Sequence, residues 1–396
     1  MQTEPHSSQE SDAEETSSLD HIPHPTVITA REHLEEVVAE SFSRSPRLAL
    51  DIESNGFYAY RERVCLLQIS TVTEDFVVDP IAISDLSSLA PLLKDPTIEK
   101  IFHAGEYDVL CLKRDYGFTF ENLFDTMIAN RLLGAKELGL AAAIEKHFGL
   151  KLSKKLQRAD WGRRPLSHAQ IRYAQMDTHF LMRLADIQKA QLHEKSRMAD
   201  AQEAFADLAA LVPVHKVFDP EGYWKLAGRE PMTGTQMACL KQLYLFREEQ
   251  AASRDRAHFR VMADDLMVRL AKAMPENVDQ LKDVRGMTPY LIQKFQHQVL
   301  KAIQRGKESE PLTQPPKLPR PQRRDVREWR LFEELRQWRK TQAAQEGVEP
   351  VVVLSSDALH EIARLACAEP DGDPLRNLSE LKRQRYGDLI RPLLKK

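Results

Sequence analysis

The chain has 396 residues, is 42% hydrophobic and 29% charged, and carries a formal net charge of -3. That length fits two or three domains with real cores, and that composition excludes a chain that is disordered throughout. No run of about eighteen apolar residues exists, so no transmembrane helix or membrane partner is expected.

The N-terminus lacks a basic start followed by an apolar stretch, so no signal peptide is expected. Cys65, Cys111, Cys239 and Cys367 form no C-x-x-C pair. This argues against a zinc site or disulfide framework and fits a reducing cytoplasm. Residues 1–211 hold 23 Lys/Arg against 33 Asp/Glu, residues 212–310 hold 16 against 13, and residues 311–396 hold 17 against 13. An acidic half that concentrates carboxylates and a mildly basic half suit a metal-dependent enzyme acting on a polyanion.

Residues 1–24 contain six acids and no Lys or Arg. They cannot bury enough surface to offset ordering entropy and read as a disordered acidic tail. From Ala30 to Phe42 the period is helical, with Leu34, Val37, Val38 and Phe42 on one face. Leu48 to Glu53 reads as a buried strand. Val64–Ser70 and Phe76–Val78 follow as second and third strands of an antiparallel meander. Pro91–Lys94 is helical, Ile98–Phe102 is a fourth strand, and His103-Ala104-Gly105 opens a helix that carries Asp108. Asn122–Asp125 is a fifth strand, and the rest to about Phe205 is mostly helical. This order gives an α/β domain with a mixed sheet over residues 25–211.

Asp51 and Glu53 stand at i and i+2 on one strand, so they project from the same face. Two adjacent like charges repel unless a cation sits between them. The pair is either half of a hard-cation site or an ordinary solvated strand end. Tyr173 and Asp177, at i and i+4, share one helix face. The phenol is either a water-orienting group or a half-buried helix residue. Residues 151–164 hold six basic residues against one acid. Among them, Lys154, Lys155, Arg158, Arg163 and Arg164 are candidates for holding a single-stranded end. Trp161 either stacks on a base or plugs the core. His179, two residues past Asp177, reads as structural.

Asp51-Ile52-Glu53, Phe102 to Asp108 and Tyr173 to Asp177 resemble the three exonuclease motifs of the DEDD superfamily, tyrosine subclass. Ser153 to Leu166 is similar to the linking segment of the ribonuclease D family. The resemblance spans roughly residues 25–205 and implies an RNase H-like fold with 3′→5′ exonucleolysis. It implies that Asp51 bridges two metal ions, Mg²⁺ or Mn²⁺. Glu53 and Asp177 would complete the first metal site, Asp108 would support the second through water, and Tyr173 would hold the attacking water. The chemistry agrees, because two metal ions about 4 Å apart acidify a water and stabilise the leaving oxygen. A phenol with a reference pKa of about 10 is a poor base at neutral pH, so Tyr173 should position rather than deprotonate.

Beyond residue 212 the chain reads as all helical. Pro311, Pro315, Pro316, Pro319 and Pro321 mark a stiff linker over 311–324. The flanking segments repeat each other at an offset of 92, pairing Phe246-Arg247 with Trp338-Arg339 and Asp265 with Asp357. Residues 212–310 and 325–396 resemble HRDC domains, which either bind RNA or pack as spacers. The expected whole is a monomeric, RNase H-like α/β exonuclease domain followed by two all-helical HRDC-like domains. It would trim RNA with a free 3′ end, tRNA precursors being the implied substrate, and release 5′-mononucleotides. A DNA exonuclease of the same superfamily and a catalytically silent nucleic-acid-binding protein are the alternatives.

Overall fold

The computed structural model describes residues 21–214, 217–228, 231–312, 325–369 and 371–394. The expected tail up to residue 20, and residues 313–324 of the Pro-rich linker, lie outside the described residues. Residues 21–24 do not behave as tail. Ile22 is buried with Ile144, Met176 and Phe180. Gln175 Nε2 donates to the Pro23 carbonyl at 2.8 Å, so this backbone has a partner as well as a pocket. The chain divides into two units. One comprises Met1–Glu53, Val64–Val214 and Gln322–Lys396, the other Ser54–Arg63 and His215–Pro321.

The first unit is built on a mixed sheet. Its elements begin with β1 (Thr26–Ile28), α1 (Arg31–Val37, continuing as a wider turn over Val38–Phe42), β2 (Arg47–Ser54), β3 (Val64–Ser70) and β4 (Asp75–Val78). Then come α2 (Ala90–Lys94), β5 (Glu99–Phe102), α3 (Glu106–Tyr116), β6 (Leu123–Asp125) and α4 (Thr126–Leu132). The helices α5 (Leu140–Phe148), α6 (His168–His179), α7 (Leu181–Glu194) and α8 (Met198–Ala210) complete the α/β body.

The sheet has six strands in the order β1-β4-β3-β2-β5-β6, not the five expected. The extra strand, β1, is three residues long and runs parallel to β4. β3 runs antiparallel to β4, whereas β5 is parallel to both β2 and β6. Every residue of β3 is buried, as a central strand covered on both faces requires.

The helical module of the second unit contains α9 (Tyr223–Leu226), α10 (Gly234–Ser253), α11 (His258–Val261), α12 (Asp264–Ala273), α13 (Val278–Asp283) and α14 (Pro289–Glu308). The first unit closes with α15 (Val326–Glu346), α16 (Pro350–Val353), α17 (Ser356–Ala368) and α18 (Glu380–Leu394). The starts of α10, α11 and α12 recur 92 residues later at α15, α16 and α17. One bond recurs as well. Arg247 Nη1 donates to the Met262 carbonyl at 3.2 Å, and Arg339 Nη1 to the Leu354 carbonyl at 2.9 Å. Repetition of buried polar bonds at the same offset is what a duplicated module leaves behind. Among the described residues, α13 has no helical counterpart in the second copy. In the first copy Gly306 lets α14 approach α10 closely, since a Cβ there would lie 2.4 Å from the Cys239 Cα.

Two boundaries differ from the sequence reading. Ser54–Arg63 groups with the helical module rather than with the exonuclease body. Its backbone finds partners there: the Ala257 N–H donates to the Tyr58 carbonyl at 3.0 Å and the Tyr60 N–H to Asp255 Oδ1 at 3.1 Å. The second copy, expected as a tethered module, is docked on α8. Asp200, almost fully buried, meets Lys382 at 3.1 Å, Arg197 at 3.6 Å and also Arg385. Glu346 is held by Arg197 and by the Tyr386 hydroxyl at 3.1 Å. Burial alone would raise Asp200, but its bonds to Arg385 and Lys382 outweigh that and hold it below the usual carboxylate range.

Candidate active site

Three elements carry the acids. In β2, Leu48, Leu50 and Ile52 alternate with Ala49, Asp51 and Glu53, and the first three are buried. The two carboxylates therefore leave the strand on one face. The third acid, Asp108, lies in the first turn of α3, where the helix dipole favours negative charge. The turn into α3 is tight. Ala104 has φ +61°, and a Cβ at Gly105 would lie 2.6 Å from the Phe102 Cβ.

The carboxylate of Asp125 holds this turn. It accepts from the N–H groups of Gly105 at 2.7 Å and Ala104 at 3.3 Å. It also caps α4 through Met127 at 2.8 Å and Ile128 at 2.9 Å. Asp125 was not singled out from the sequence. The available signal was an aspartate directly ahead of a helical stretch, the signature of an N-cap.

The fourth acid, Asp177, and Tyr173 lie on α6, which starts with a capping box between Ser167 and Gln170. Asp75 locks α6 to the sheet by accepting from Gln175 at 2.6 Å, pairing with His179 at 2.7 Å and accepting from Ser70 at 2.6 Å. Burial would raise Asp75, but these bonds keep it below its ordinary range. His179 is thereby structural, as expected.

The result is a cluster. Carboxylate oxygens of Asp51, Glu53 and Asp177 all lie within 4.8 Å of one another, and Asp108 falls outside that set. Burial pushes Asp51 up to about 7. Burial and then the charges of Asp51, Asp177 and Asp108 push Glu53 up to about 10. Asp108 and Asp177 are driven well above the usual range, first by burial and then by the neighbouring acids. Such a set cannot ionise together without a cation. It offers only hard oxygen donors, which fits divalent metal ions of the Mg²⁺ type. Tyr173 is raised by burial and then by Asp177, Glu53 and Asp51. Its hydroxyl is therefore a hydrogen-bonding group and not a base.

The expected substrate-binding set divides. Lys154, Lys155, Arg158 and Arg163 are exposed. Trp161 is only 1% exposed and packs with Cys65, Leu66, Val77 and Ala174, its ring centre 5.9 Å from that of Tyr173. The large indole is worth more in this core than on a base, so it buttresses Tyr173 and is not a stacking surface. Arg164 is also committed inward. Its Nε and Nη2 meet Asp79 at 2.6 and 2.7 Å, and it donates to the carbonyls of Cys65 at 2.8 Å and Trp161 at 2.7 Å. A guanidinium with these partners pins the loop and has no fork left for phosphate.

Comparison with known proteins accords with this geometry. Residues 25–193 match the 3'-5' exonuclease family, and residues 236–303 and 328–394 each match the HRDC domain. The two HRDC matches begin 92 residues apart. The exosome complex component 10 homolog of Caenorhabditis elegans is 32% identical over 282 residues, covering 70% of this chain and 32% of that protein. The chain spans about a third of the length of the curated relatives it matches most strongly. The crystal structure of the catalytic core of RRP6 from Trypanosoma brucei is 29% identical with a TM-score of 0.66, covering 73% of this chain and 80% of that one. Escherichia coli RNase D shares the fold at 22% identity and a TM-score of 0.63, over 94% of this chain and 99% of that one. With one exonuclease domain and two HRDC domains, the chain belongs to the HRDC-bearing 3′-5′ exonucleases of the DEDD superfamily.

Proposed function

We propose that the chain is a 3′→5′ exoribonuclease that hydrolyses RNA from a free 3′ end and releases 5′-mononucleotides. The observation that carries this reading is the buried cluster of Asp51, Glu53 and Asp177, whose oxygens converge within 4.8 Å, with Tyr173 on the same helix face as Asp177. The names of the relatives, an exosome component and an RRP6 catalytic core, support RNA over DNA. The motif resemblance points to tRNA precursors as substrate. Asp51 would be shared by two divalent ions. Glu53 and Asp177 complete one set, and Asp108 serves the other. Bound Mg²⁺ or Mn²⁺ supplies a more acidic water and neutralises charge on the phosphate.

The protein supplies the rest. Tyr173 donates a hydrogen bond that orients the attacking water, and Trp161 fixes the phenol in place. Lys154, Lys155, Arg158 and Arg163 line an exposed basic stretch suited to phosphates. The protein acts as a monomer. No disulfide joins the four cysteines, which suits a reducing cytoplasm, and among the described residues no helix is long and apolar enough to cross a membrane.

End-labelled RNA and DNA of one sequence, each with a 3′-hydroxyl or a 3′-phosphate, test the reading in Mg²⁺ and in Mn²⁺. The 3′-hydroxyl RNA should be shortened one nucleotide at a time and the 3′-phosphate should block it. Oligonucleotides released from blocked RNA, or DNA degraded faster than RNA, would overturn it.

A further inference from the structure

Beneath α6 the fold buries an amide without partners. Gln68, on β3, is 0% exposed. Among the described residues, the buried side-chain atoms that make no hydrogen bond include both its Nε2 and its Oε1. No other described residue has two such atoms. Each forfeits the hydrogen bonds it had in water, and a methionine of similar length would avoid both losses. A group buried at that cost asks for a partner in the working protein.

The neighbours of Gln68 fix the face on which it lies. Two residues on, Ser70 Oγ meets Thr178 Oγ1 of α6 at 2.7 Å. Directly opposite on β4, Val77 packs with Trp161 and Ala174. Gln68 therefore leaves β3 on the side covered by the helix that carries Tyr173 and Asp177. Trp161 Nε1, in the same layer, is a second buried donor without a partner.

The acid cluster shares that face. β3 neighbours β2, and just beyond the strand ends the Asn55 N–H donates to the Arg63 carbonyl at 3.4 Å. Counting five residues from that bond along each strand brings Gln68 level with Leu50 and its neighbours Ala49 and Asp51. Of these, Asp51 is the polar one, and its carboxylate converges with that of Asp177 on α6. Asp75 is held by three side-chain partners and Asp125 by four backbone N–H groups. Among the described residues no hydrogen bond reaches the Asp51 carboxylate.

We propose that Gln68 is a positioning residue of the acid cluster: in the metal-loaded protein its Nε2 donates to the Asp51 carboxylate and its Oε1 accepts from Trp161 Nε1. An amide suits this place because it offers a donor to a carboxylate and an acceptor to an N–H. It ties the acid assigned to both ions to the indole that buttresses Tyr173. Bonds of this outer kind orient a metal ligand and are worth about 10- to 100-fold in metal affinity. The inference rests on reading the cluster as the metal site of an exoribonuclease.

The test compares the full chain with Gln68→Met, with Gln68→Leu as a second apolar variant, with Trp161→Phe, and with Gln68→Met and Trp161→Phe combined. In EDTA, Gln68→Met should melt no lower than the parent, since the amide has no partner there. Calorimetric titration with Mg²⁺ should show binding weakened by about tenfold or more. On RNA with a free 3′ end, kcat should fall at unchanged KM. The combined variant should lose little more than Gln68→Met alone, because both changes break one chain of bonds. Apolar variants that both melt well below the parent in EDTA would make Gln68 part of the metal-free fold and overturn the role. Mg²⁺ affinity and kcat equal to the parent's would overturn it too, as would fully additive losses in the combined variant. A parent that neither binds Mg²⁺ nor hydrolyses RNA would bring down the exoribonuclease reading and this role together. A parent that does both, matched by Gln68→Met, would sink the role alone.

Discussion

Asp51→Asn should abolish hydrolysis and, in metal-free buffer, make the protein more stable. Burial raises the Asp51 carboxyl from an ordinary 3.8 to about 7. A folded-state pKa above the unfolded one means that the group costs stability, and the cost grows as pH rises from about 4 to about 7. Above that range the penalty is about 4 kcal/mol. Asn keeps the shape but buries an amide whose donors need partners, which takes back about 2 kcal/mol. The net gain of about 2 kcal/mol is worth about 5 °C for a body of this size. Thermal melts of parent and variant at pH 8, in EDTA and in Mg²⁺, read it directly. The parent should rise on adding Mg²⁺, the variant should start higher in EDTA, and Mg²⁺ should move it less. A variant that melts no higher than the parent without metal, or gains as much from Mg²⁺, would refute the shared-ligand reasoning.

Tyr173→Phe should lower kcat by about 100-fold at unchanged KM while keeping the shape of the pH–rate profile, because a phenol raised by burial does not titrate there. Loss of one limb of that profile would make Tyr173 a base instead. Asp125→Ala removes the acceptor of four backbone N–H groups and should cost about 3 kcal/mol in denaturant melts, with kcat reduced and Asp125→Asn restoring part of both. Asp200→Asn should cost about 3 kcal/mol, since it leaves Lys382 and Arg385 without their buried partner. Because Asp200 is held below its usual range, its contribution is complete above about pH 4 and is lost as pH falls further through the folded-state value. In melts the difference between parent and variant should therefore be full at pH 7 and smaller at pH 3.

Period made some of the acids legible, whereas Asp108 was picked out only by the motif resemblance. A strand alternation reveals Asp51 and Glu53, and the helix spacing reveals Tyr173 with Asp177. The duplication was legible from a constant offset, which the helix starts repeat. Trp161 and Arg164 were misplaced for one reason. Composition showed an aromatic among basic residues but not which way each points. Only the fold brings Asp79 and the Cys65 carbonyl to Arg164, from positions 85 and 99 residues away. The docking of the second HRDC domain was illegible for the same cause, since Asp200 lies more than 180 residues from Lys382 and Arg385. β1 is too short to show a period and exists because β4 offers an edge.

The segment that follows Glu53 has its partners far down the chain. Phe57 and Arg260 are 203 residues apart, and Tyr60 and Asp255 are 195 apart. A ribosome adds about 5 to 20 residues per second, so about 10 to 40 s separate the synthesis of one side from that of the other. Throughout that interval the candidate ligand Glu53 is followed by a segment whose bonds to Asp255, Ala257 and Arg260 cannot yet form. The catalytic strand is made early and its far end is secured late. A nascent chain stalled before residue 255 would carry all four acids and still lack the hold on the segment beside them.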